Sequence, residues 1–137
     1  IFPFYPPFCC VRVSCPCPEE YMKSVEELDV FKLAHEMTLR IYQITKNFPA
    51  EERFGLVSQM RRAAYSVPMN LAEGSHRLNT REYRQYVGIA KGSVGEIKYQ
   101  LLLARDLEYI GEKNYTELKV NYERISQMLT GLAKSLE

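Results

Sequence analysis

Apolar residues recur at alternating intervals of three and four positions along four segments of the chain. This spacing places each set on one face of an α-helix, and no sustained alternation typical of a strand accompanies it. The four sets are Val30, Ala34, Met37, Ile41, Ile44 and Phe48; Val57, Met60, Ala64, Val67 and Leu71; Ala90, Val94, Ile97, Leu101 and Ala104; and Leu118, Tyr122, Ile125, Leu129, Leu132 and Leu136. The pattern predicts an all-α protein.

Residues between the segments carry signals for helix ends, and the connections are short. Ser24 with Glu27, and Asn79 with Glu82, have the spacing of N-terminal capping boxes, and Gly111 suits a left-handed residue after segment three. Short connections require neighbouring helices to run in opposite directions. We therefore expect an antiparallel up-down-up-down four-helix bundle.

The stretch SVPMNLAEGSHR, residues 66–77, interrupts the second segment with a proline and a glycine. Pro68 cannot donate a backbone hydrogen bond to the carbonyl of Ala64, so we expect a kink there. We predict that Asn70 and Glu73 are partly buried and tie this bend to a neighbouring helix. Gly74 then ends the helix or permits a close approach.

A catalytic role for Glu73 finds little support, because general acid–base chemistry needs partners that the sequence does not place nearby. No nucleotide-binding or metal-binding motif is present, so we predict a non-enzymatic protein with no cofactor and no metal. Gly88, Gly92 and Gly95 fall inside a helical pattern, where a close crossing of two helices is a better explanation than a phosphate-binding loop.

The third segment is apolar beyond its stripe. A wide apolar face fits either a central helix packed on two sides or a helix that also contacts a second subunit, and the residues alone favour neither. The additional apolar residues are Tyr83, Tyr86, Val87, Ile89, Leu102 and Leu103.

Residues 1–21 differ in composition from the rest, with five of the seven prolines and all four cysteines of the chain. We interpret them as a non-native or disordered extension before a bundle domain of residues 22–137, with Met22 as the natural start. The spacing of Cys9, Cys10, Cys15 and Cys17 is not that of a common zinc site. A body without cysteine fits the reducing cytoplasm, which is the predicted location.

Charge is concentrated in the middle of the chain although the net charge is only +1. Residues 61–105 carry eight basic and three acidic side chains, whereas the flanking parts are slightly acidic. If residues 77–98 are helical, Arg77, Arg81, Arg84, Lys91 and Lys98 form one stripe that could follow a phosphate backbone. The candidate nucleic-acid-binding residues are Arg61, Arg62, Arg77, Arg81, Arg84, Lys91 and Lys98. The alternative is an ordinary solvated face.

No apolar run reaches the ~18 residues that a membrane helix needs.

Three motifs resemble those of the bacterial 23S rRNA intervening-sequence proteins. They are FP-x-x-E-x-x-G-L-x-x-Q-x-R-R-A, S-[IV]-P-x-N-[IL]-A-E-G and A-x-G-S-x-x-E, in that order within residues 26–136. The motif positions are Gln59, Arg61, Arg62, Ser66, Pro68, Asn70, Glu73, Gly74, Arg77, Gly92, Ser93 and Glu96.

The resemblance implies a small helical bundle that assembles as a homopentamer. Some members are encoded in insertions within 23S rRNA genes. A related branch, the accessory variability protein of diversity-generating retroelements, binds nucleic acid and a reverse transcriptase. Those relatives are strongly basic, whereas residues 22–137 carry 17 basic and 15 acidic side chains. We therefore predict weak RNA or DNA binding, with a protein-interaction scaffold as the alternative.

Overall fold

Four α-helices make up the fold. The computed structural model describes residues 24–137, and the helices are α1 (Asp29–Thr45), α2 (Leu56–Ser75), α3 (Thr80–Asp106) and α4 (Glu112–Ser135). Two short 3₁₀ turns, Val25–Glu27 and Ala50–Glu52, precede α1 and α2, and the described residues contain no strand. The all-helical prediction is confirmed for this part of the chain. The extension of residues 1–21 and its cysteines lie outside it.

The predicted apolar stripes form the core. All the stripe residues predicted for α1, α2 and α3 are buried, and in α4 burial extends from Leu118 to Leu129. α1 packs against α2 and α4, and α3 also packs against α2 and α4. This arrangement explains the wide apolar face of α3 in part, because Val87 is buried while Tyr83 and Leu102 pack at the edge of the core. Ile89 remains exposed.

The first of the three motifs, which begins with Phe48 and includes Glu52, joins the α1–α2 connection to the α3–α4 connection. The Phe48 and Tyr109 rings lie 5.3 Å apart between centroids. The Glu52 carboxylate accepts hydrogen bonds from the Tyr109 hydroxyl at 3.2 Å and from the backbone N–H of Leu56, the first residue of α2, at 3.0 Å. One carboxylate therefore satisfies a free donor at the start of α2 and holds the two connections together.

Helix ends follow the sequence prediction at one of three places. The Asn79 side chain caps α3 by accepting a hydrogen bond from the N–H of Glu82 at 2.9 Å. The Ser24 prediction is wrong, because Ser24 precedes the short 3₁₀ turn and its side chain makes no capping bond. Gly111 is likewise not left-handed: it has φ −77° and precedes α4 as its N-cap.

The left-handed residue after α3 is Glu108, with φ 62°. The N–H of Glu108 donates to the carbonyl of Arg105, and the N–H of Tyr109 donates to the carbonyl of Ala104, both at 2.9 Å. These are the two hydrogen bonds of a Schellman helix end, in which glycine normally occupies the left-handed position.

We expect Glu108→Gly to stabilise the protein by up to ~1 kcal/mol. Glycine removes the steric cost of a Cβ at positive φ, and this gain exceeds the additional conformational entropy that glycine loses on folding. Urea denaturation followed by circular dichroism measures the change. Glu108→Ala is the control, since it removes the carboxylate but keeps the Cβ. Equal stabilisation by both variants would contradict the explanation from backbone conformation.

α2 continues through Pro68 from Leu56 to Ser75. The carbonyl of Ala64, which Pro68 cannot reach with an N–H, lies 3.0 Å from the Thr38 hydroxyl of α1. Thr38 also lies 2.8 Å from the carbonyl of Ala34, so its single hydroxyl hydrogen serves two acceptors. The partner of the proline position is therefore Thr38, which the sequence analysis did not identify. The kink and the up-down-up-down order stay predictions.

Candidate nucleic-acid interface

α3 presents basic side chains along the edge that faces α4. Its buried stripe runs through Val87, Ala90, Val94 and Ile97, so the intervening positions of the helix lie towards its neighbours or solvent. Arg84, Lys91 and Lys98 recur every seven residues, which returns them to the same side after two turns. The sequence prediction of a basic stripe on α3 therefore has a structural counterpart at the α3–α4 seam.

A groove of about 490 Å³ lies between α3 and α4. Four cationic side chains line it, and Glu137 is the one carboxylate among the lining residues. The lining also includes the apolar residues Val87 and Leu129, whose side chains belong to the core. We call this feature the cationic groove. The four cations are Arg81, Arg84, Lys91 and Lys134.

Contacts across the seam hold two of these cations in place. Arg84 donates from Nε to the carbonyl of Ala133 at 3.3 Å and from Nη2 to Oε1 of Glu137 at 3.0 Å. Lys91 Nζ donates to the Thr130 hydroxyl at 2.8 Å. Both sides of the Arg84–Glu137 ion pair are more than half exposed, so the pair contributes little to stability. The partner of Lys91 in this contact is a neutral hydroxyl and not a carboxylate.

Lys98 lies on the same edge of α3 but forms an ion pair with a carboxylate of α4. Its ammonium lies 2.5 Å from Oε1 of Glu123 on α4. The hydrogen bond and the positive charge of Lys98 hold the pKa of the Glu123 carboxyl below its usual range. Glu123 therefore stays ionised beside Lys98, and this end of the seam offers a phosphate less charge than the groove does.

Two other predicted residues lie away from the groove. The stripe prediction is wrong for Arg77, because α3 begins at Thr80 and Arg77 lies in the turn before it. Arg77 instead bonds to Glu73 at 3.0 Å and lies over the Tyr86 ring, whose hydroxyl it also contacts. Arg61 donates to the Thr45 hydroxyl at 2.9 Å and lies over the Tyr42 ring on α1. Arg61 therefore joins α1 to α2.

Arg62 lies with residues of the later motifs in a polar notch between α2 and α3. The notch has a volume of about 380 Å³. Across it, the hydroxyls of Ser66 and Ser93 are 2.8 Å apart. Glu96 accepts a hydrogen bond from Gln100 at 3.3 Å. The motif residues of α2 and α3 thus meet in one place, although they are separated by about 30 residues in the sequence. The residues that line the notch are Gln59, Arg62, Ala63, Ser66, Ser93 and Glu96.

The remaining motif residues have structural contacts that differ in part from the prediction. Asn70 is buried as expected, but its amide donates to the carbonyl and hydroxyl of Ser66 in its own helix, at 2.7 and 2.9 Å. The prediction of a partly buried Glu73 is wrong, because Glu73 is exposed beside Arg77. Gly74 does not end α2 but lies against Tyr83 and Tyr86 of α3, which is the close approach that the sequence analysis allowed.

The helical glycines of α3 do not mark a close crossing within the subunit. A Cβ at Gly88, Gly92 or Gly95 would meet no atom within 4 Å. The predicted close crossing of two helices is therefore not made within the subunit at any of the three glycines. The same observation leaves the face of α3 that carries them open for contact with another molecule.

Sequence reasoning missed Lys134, which completes the groove from the last turn of α4. The predicted stripe contains only cations from the middle of the chain, whereas Lys134 lies near the C-terminus. The pairing of α3 with α4 explains the position of Lys134. Arg84 contacts Glu137 and Lys91 contacts Thr130, so later residues of α3 contact earlier residues of α4. An antiparallel register would therefore have placed Lys134 near the start of α3.

The structure defines a small helical-bundle protein with a cationic groove along one helix–helix seam. The chain belongs to the family of 23S rRNA-intervening sequence proteins, whose family pattern matches residues 26–131. The resemblance stated from the three motifs is thereby confirmed.

Among solved structures, the chain is similar to a crystal structure at 1.70 Å resolution of a protein with unknown function from the S23 ribosomal protein family of Bacteroides thetaiotaomicron VPI-5482. The two are 23% identical, with a TM-score of 0.69, and the similarity covers 77% of this chain and 98% of that one. At this identity the likeness shows the fold alone. No match was found among curated proteins.

Residues 24–137 lack both a membrane-spanning helix and a cluster of metal-binding side chains. Within that range, no helix combines the length and the apolar character that crossing a membrane requires. The same residues contain no group of three or more histidine, cysteine, aspartate or glutamate side chains arranged to hold a metal ion.

Proposed function

We propose that this protein is a non-enzymatic, homo-oligomeric helical bundle that binds RNA or DNA weakly through the phosphate backbone. The binding surface is the cationic groove between α3 and α4. The observation that carries the proposal is the charge of that groove, where four cations face one carboxylate around a space of about 490 Å³.

The chemistry of the groove fits phosphate contacts without sequence readout. Arginine and lysine neutralise phosphates and release the counterions of the nucleic acid, which supplies affinity independent of sequence. The residues that line the groove include no aromatic side chain on which a base could stack. Affinity that comes from such contacts should fall as salt is added, with a slope set by the number of phosphates that the groove neutralises.

We propose that the subunit is an up-down-up-down bundle, bent at Pro68, which works in the cytoplasm as a homopentamer. The subunit count is the one that the family resemblance implies. Exposed Ile89 and Tyr99 on α3, together with Tyr65 and Met69 on α2, provide apolar surface for a second copy. Assembly would repeat the cationic groove once per subunit and so strengthen binding to a long polyanion.

We predict that changing Arg81, Arg84 and Lys91 to Glu abolishes nucleic-acid binding, because it reverses three of the four groove charges. Fluorescence anisotropy with a labelled structured RNA, from low to physiological salt, measures the effect. For the wild type, binding should weaken linearly in a log–log plot against salt, with a slope that changes by ~1 for each phosphate contact.

The matched control reverses three exposed cations outside the groove, Lys46, Arg53 and Lys113, and so changes the net charge equally. We expect this control to weaken binding only slightly. Thermal denaturation and the subunit count of each variant should match the wild type. Equal loss of binding in both triple variants would show that total charge matters and the groove does not.

A protein-interaction scaffold is the second candidate function. The exposed apolar residues of α2 and α3, next to glycines that leave the helix surface open, favour this alternative. The same anisotropy experiment separates the two functions. A wild-type protein that binds neither RNA nor DNA at low salt would leave the scaffold as the better explanation.

A further inference from the structure

Leu78 lies in the turn between α2 and α3, and its side chain is 99% exposed, the highest value for a large apolar residue in residues 24–137. The backbone on each side of it is anchored. The N–H of Arg77 donates to the carbonyl of Gly74 at 3.1 Å. Asn79 caps α3 through the N–H of Glu82 at 2.9 Å. The turn therefore holds a leucine side chain out in water on a backbone fixed at both ends.

This exposed leucine lies between Arg77 and Arg81 along the chain, and Arg81 is one of the cations that line the cationic groove. Arg81 follows it by three residues, which limits the separation of their Cα atoms to ~11 Å. Arg77 precedes it and is held by Glu73 and Tyr86. The acids nearest to Leu78 in the sequence are Glu73, which pairs with Arg77, and Glu82, which follows Arg81. An exposed apolar side chain next to cations is complementary to a nucleic-acid duplex, which carries phosphates on its surface and stacked, apolar bases in its interior.

We propose that Leu78 is a wedge that inserts into the base stack of a duplex at a bulge, while the groove cations hold the neighbouring phosphates. This inference rests on the proposed function. Apolar side chains, leucine among them, separate base steps in this way, and cations beside them bind the backbone. Unstacking is least costly where pairing is already interrupted, so the wedge selects bulged over fully paired duplexes.

In this proposal the cationic groove contacts phosphates, and Leu78 in the turn contacts the bases. Its lining residues carry no aromatic ring, so no stacking platform exists among them. Their cations attract any phosphate backbone, whether or not its bases are paired. Leu78 then contributes selectivity for the shape of the nucleic acid, and the groove contributes affinity.

The experiment compares a labelled RNA duplex carrying a single-nucleotide bulge with a fully paired duplex of the same length. Fluorescence anisotropy is measured for the wild type, Leu78→Ala and Phe54→Ala. Phe54 is the matched control, since it is 88% exposed in the α1–α2 connection and does not line the groove. Both substitutions remove exposed side chains and should leave folding intact.

We expect the wild type and Phe54→Ala to prefer the bulged duplex by about tenfold, as expected for burial of one leucine side chain. Leu78→Ala should bind the two duplexes equally, with unchanged affinity for the paired one. A 2-aminopurine base beside the bulge should gain fluorescence with the wild type and not with Leu78→Ala, because only the wedge unstacks it. The same duplexes made of DNA show whether the wedge distinguishes the sugar.

Each other outcome overturns a defined part of the proposal. A preference for the bulge that survives in Leu78→Ala, or that is lost equally in Phe54→Ala, overturns the wedge and leaves groove binding standing. Wild-type binding without any preference does the same. No wild-type binding to either duplex at low salt overturns both the wedge and the proposed function.

Discussion

Replacing Thr38 by Val should destabilise the protein by ~1–3 kcal/mol, because the carbonyl of Ala64 would lose its hydrogen-bond donor inside the bundle. In an uninterrupted helix the N–H of residue 68 serves that carbonyl, but proline has none. The Thr38 hydroxyl, 3.0 Å away, takes its place. Thr38 is only 7% exposed, so water cannot readily replace it. Urea denaturation of the wild type and Thr38→Val measures the difference.

The Pro68→Ala background provides the control for this prediction. Alanine restores an N–H four residues after Ala64, so the carbonyl has a donor from its own helix and Thr38 becomes dispensable. We expect Thr38→Val to cost at least ~1 kcal/mol less in this background than in the wild type. Additive effects of the two substitutions would mean that the proline and the threonine do not share the Ala64 carbonyl.

The helices could be predicted from the sequence because each one buries a single stripe. Every stripe residue predicted for α1, α2 and α3 is buried in the structure, from Val30 in α1 to Ala104 in α3. A repeat of 3.6 residues carries that information within one helix. Contacts between helices depend on register, which the stripe alone does not define. The sequence therefore predicted that Thr38 lies in α1, but not that its hydroxyl donates to the carbonyl of Ala64 in α2.

The candidate site shows the same limit. The stripe of cations on α3 was predictable from spacing within one helix, and two of its members, Arg84 and Lys91, line the groove. Arg77 has the spacing of the stripe but precedes α3, which begins at Thr80, because spacing alone does not define where a helix starts. Whether a cation is available to a ligand also depends on the neighbouring helix, since Lys98 is paired with the Glu123 carboxylate whereas Lys91 contacts the neutral Thr130 hydroxyl.

Gly74→Ala should destabilise the protein by ~1–3 kcal/mol, because α2 and α3 leave no space for a Cβ at this position. An ideal Cβ on Gly74 would lie 2.7 Å from Cδ2 of Tyr83 and 2.7 Å from Cβ of Tyr86. The Tyr83 ring can rotate, but the Cβ of Tyr86 moves only with the backbone of α3. The higher helix propensity of alanine returns at most ~1 kcal/mol. Chemical denaturation of the two proteins measures the net effect.

Gly88→Ala is the matched control, since the same substitution in α3 meets no atom within 4 Å. Here the helix propensity of alanine acts alone, and we expect the subunit to gain ~0.5–1 kcal/mol. The two substitutions should therefore have opposite signs, because the contact at Gly74 is tertiary and the gain at Gly88 is local. Stabilisation by Gly74→Ala would mean that α2 and α3 can separate at little cost, and Gly74 would then not be needed for their close packing.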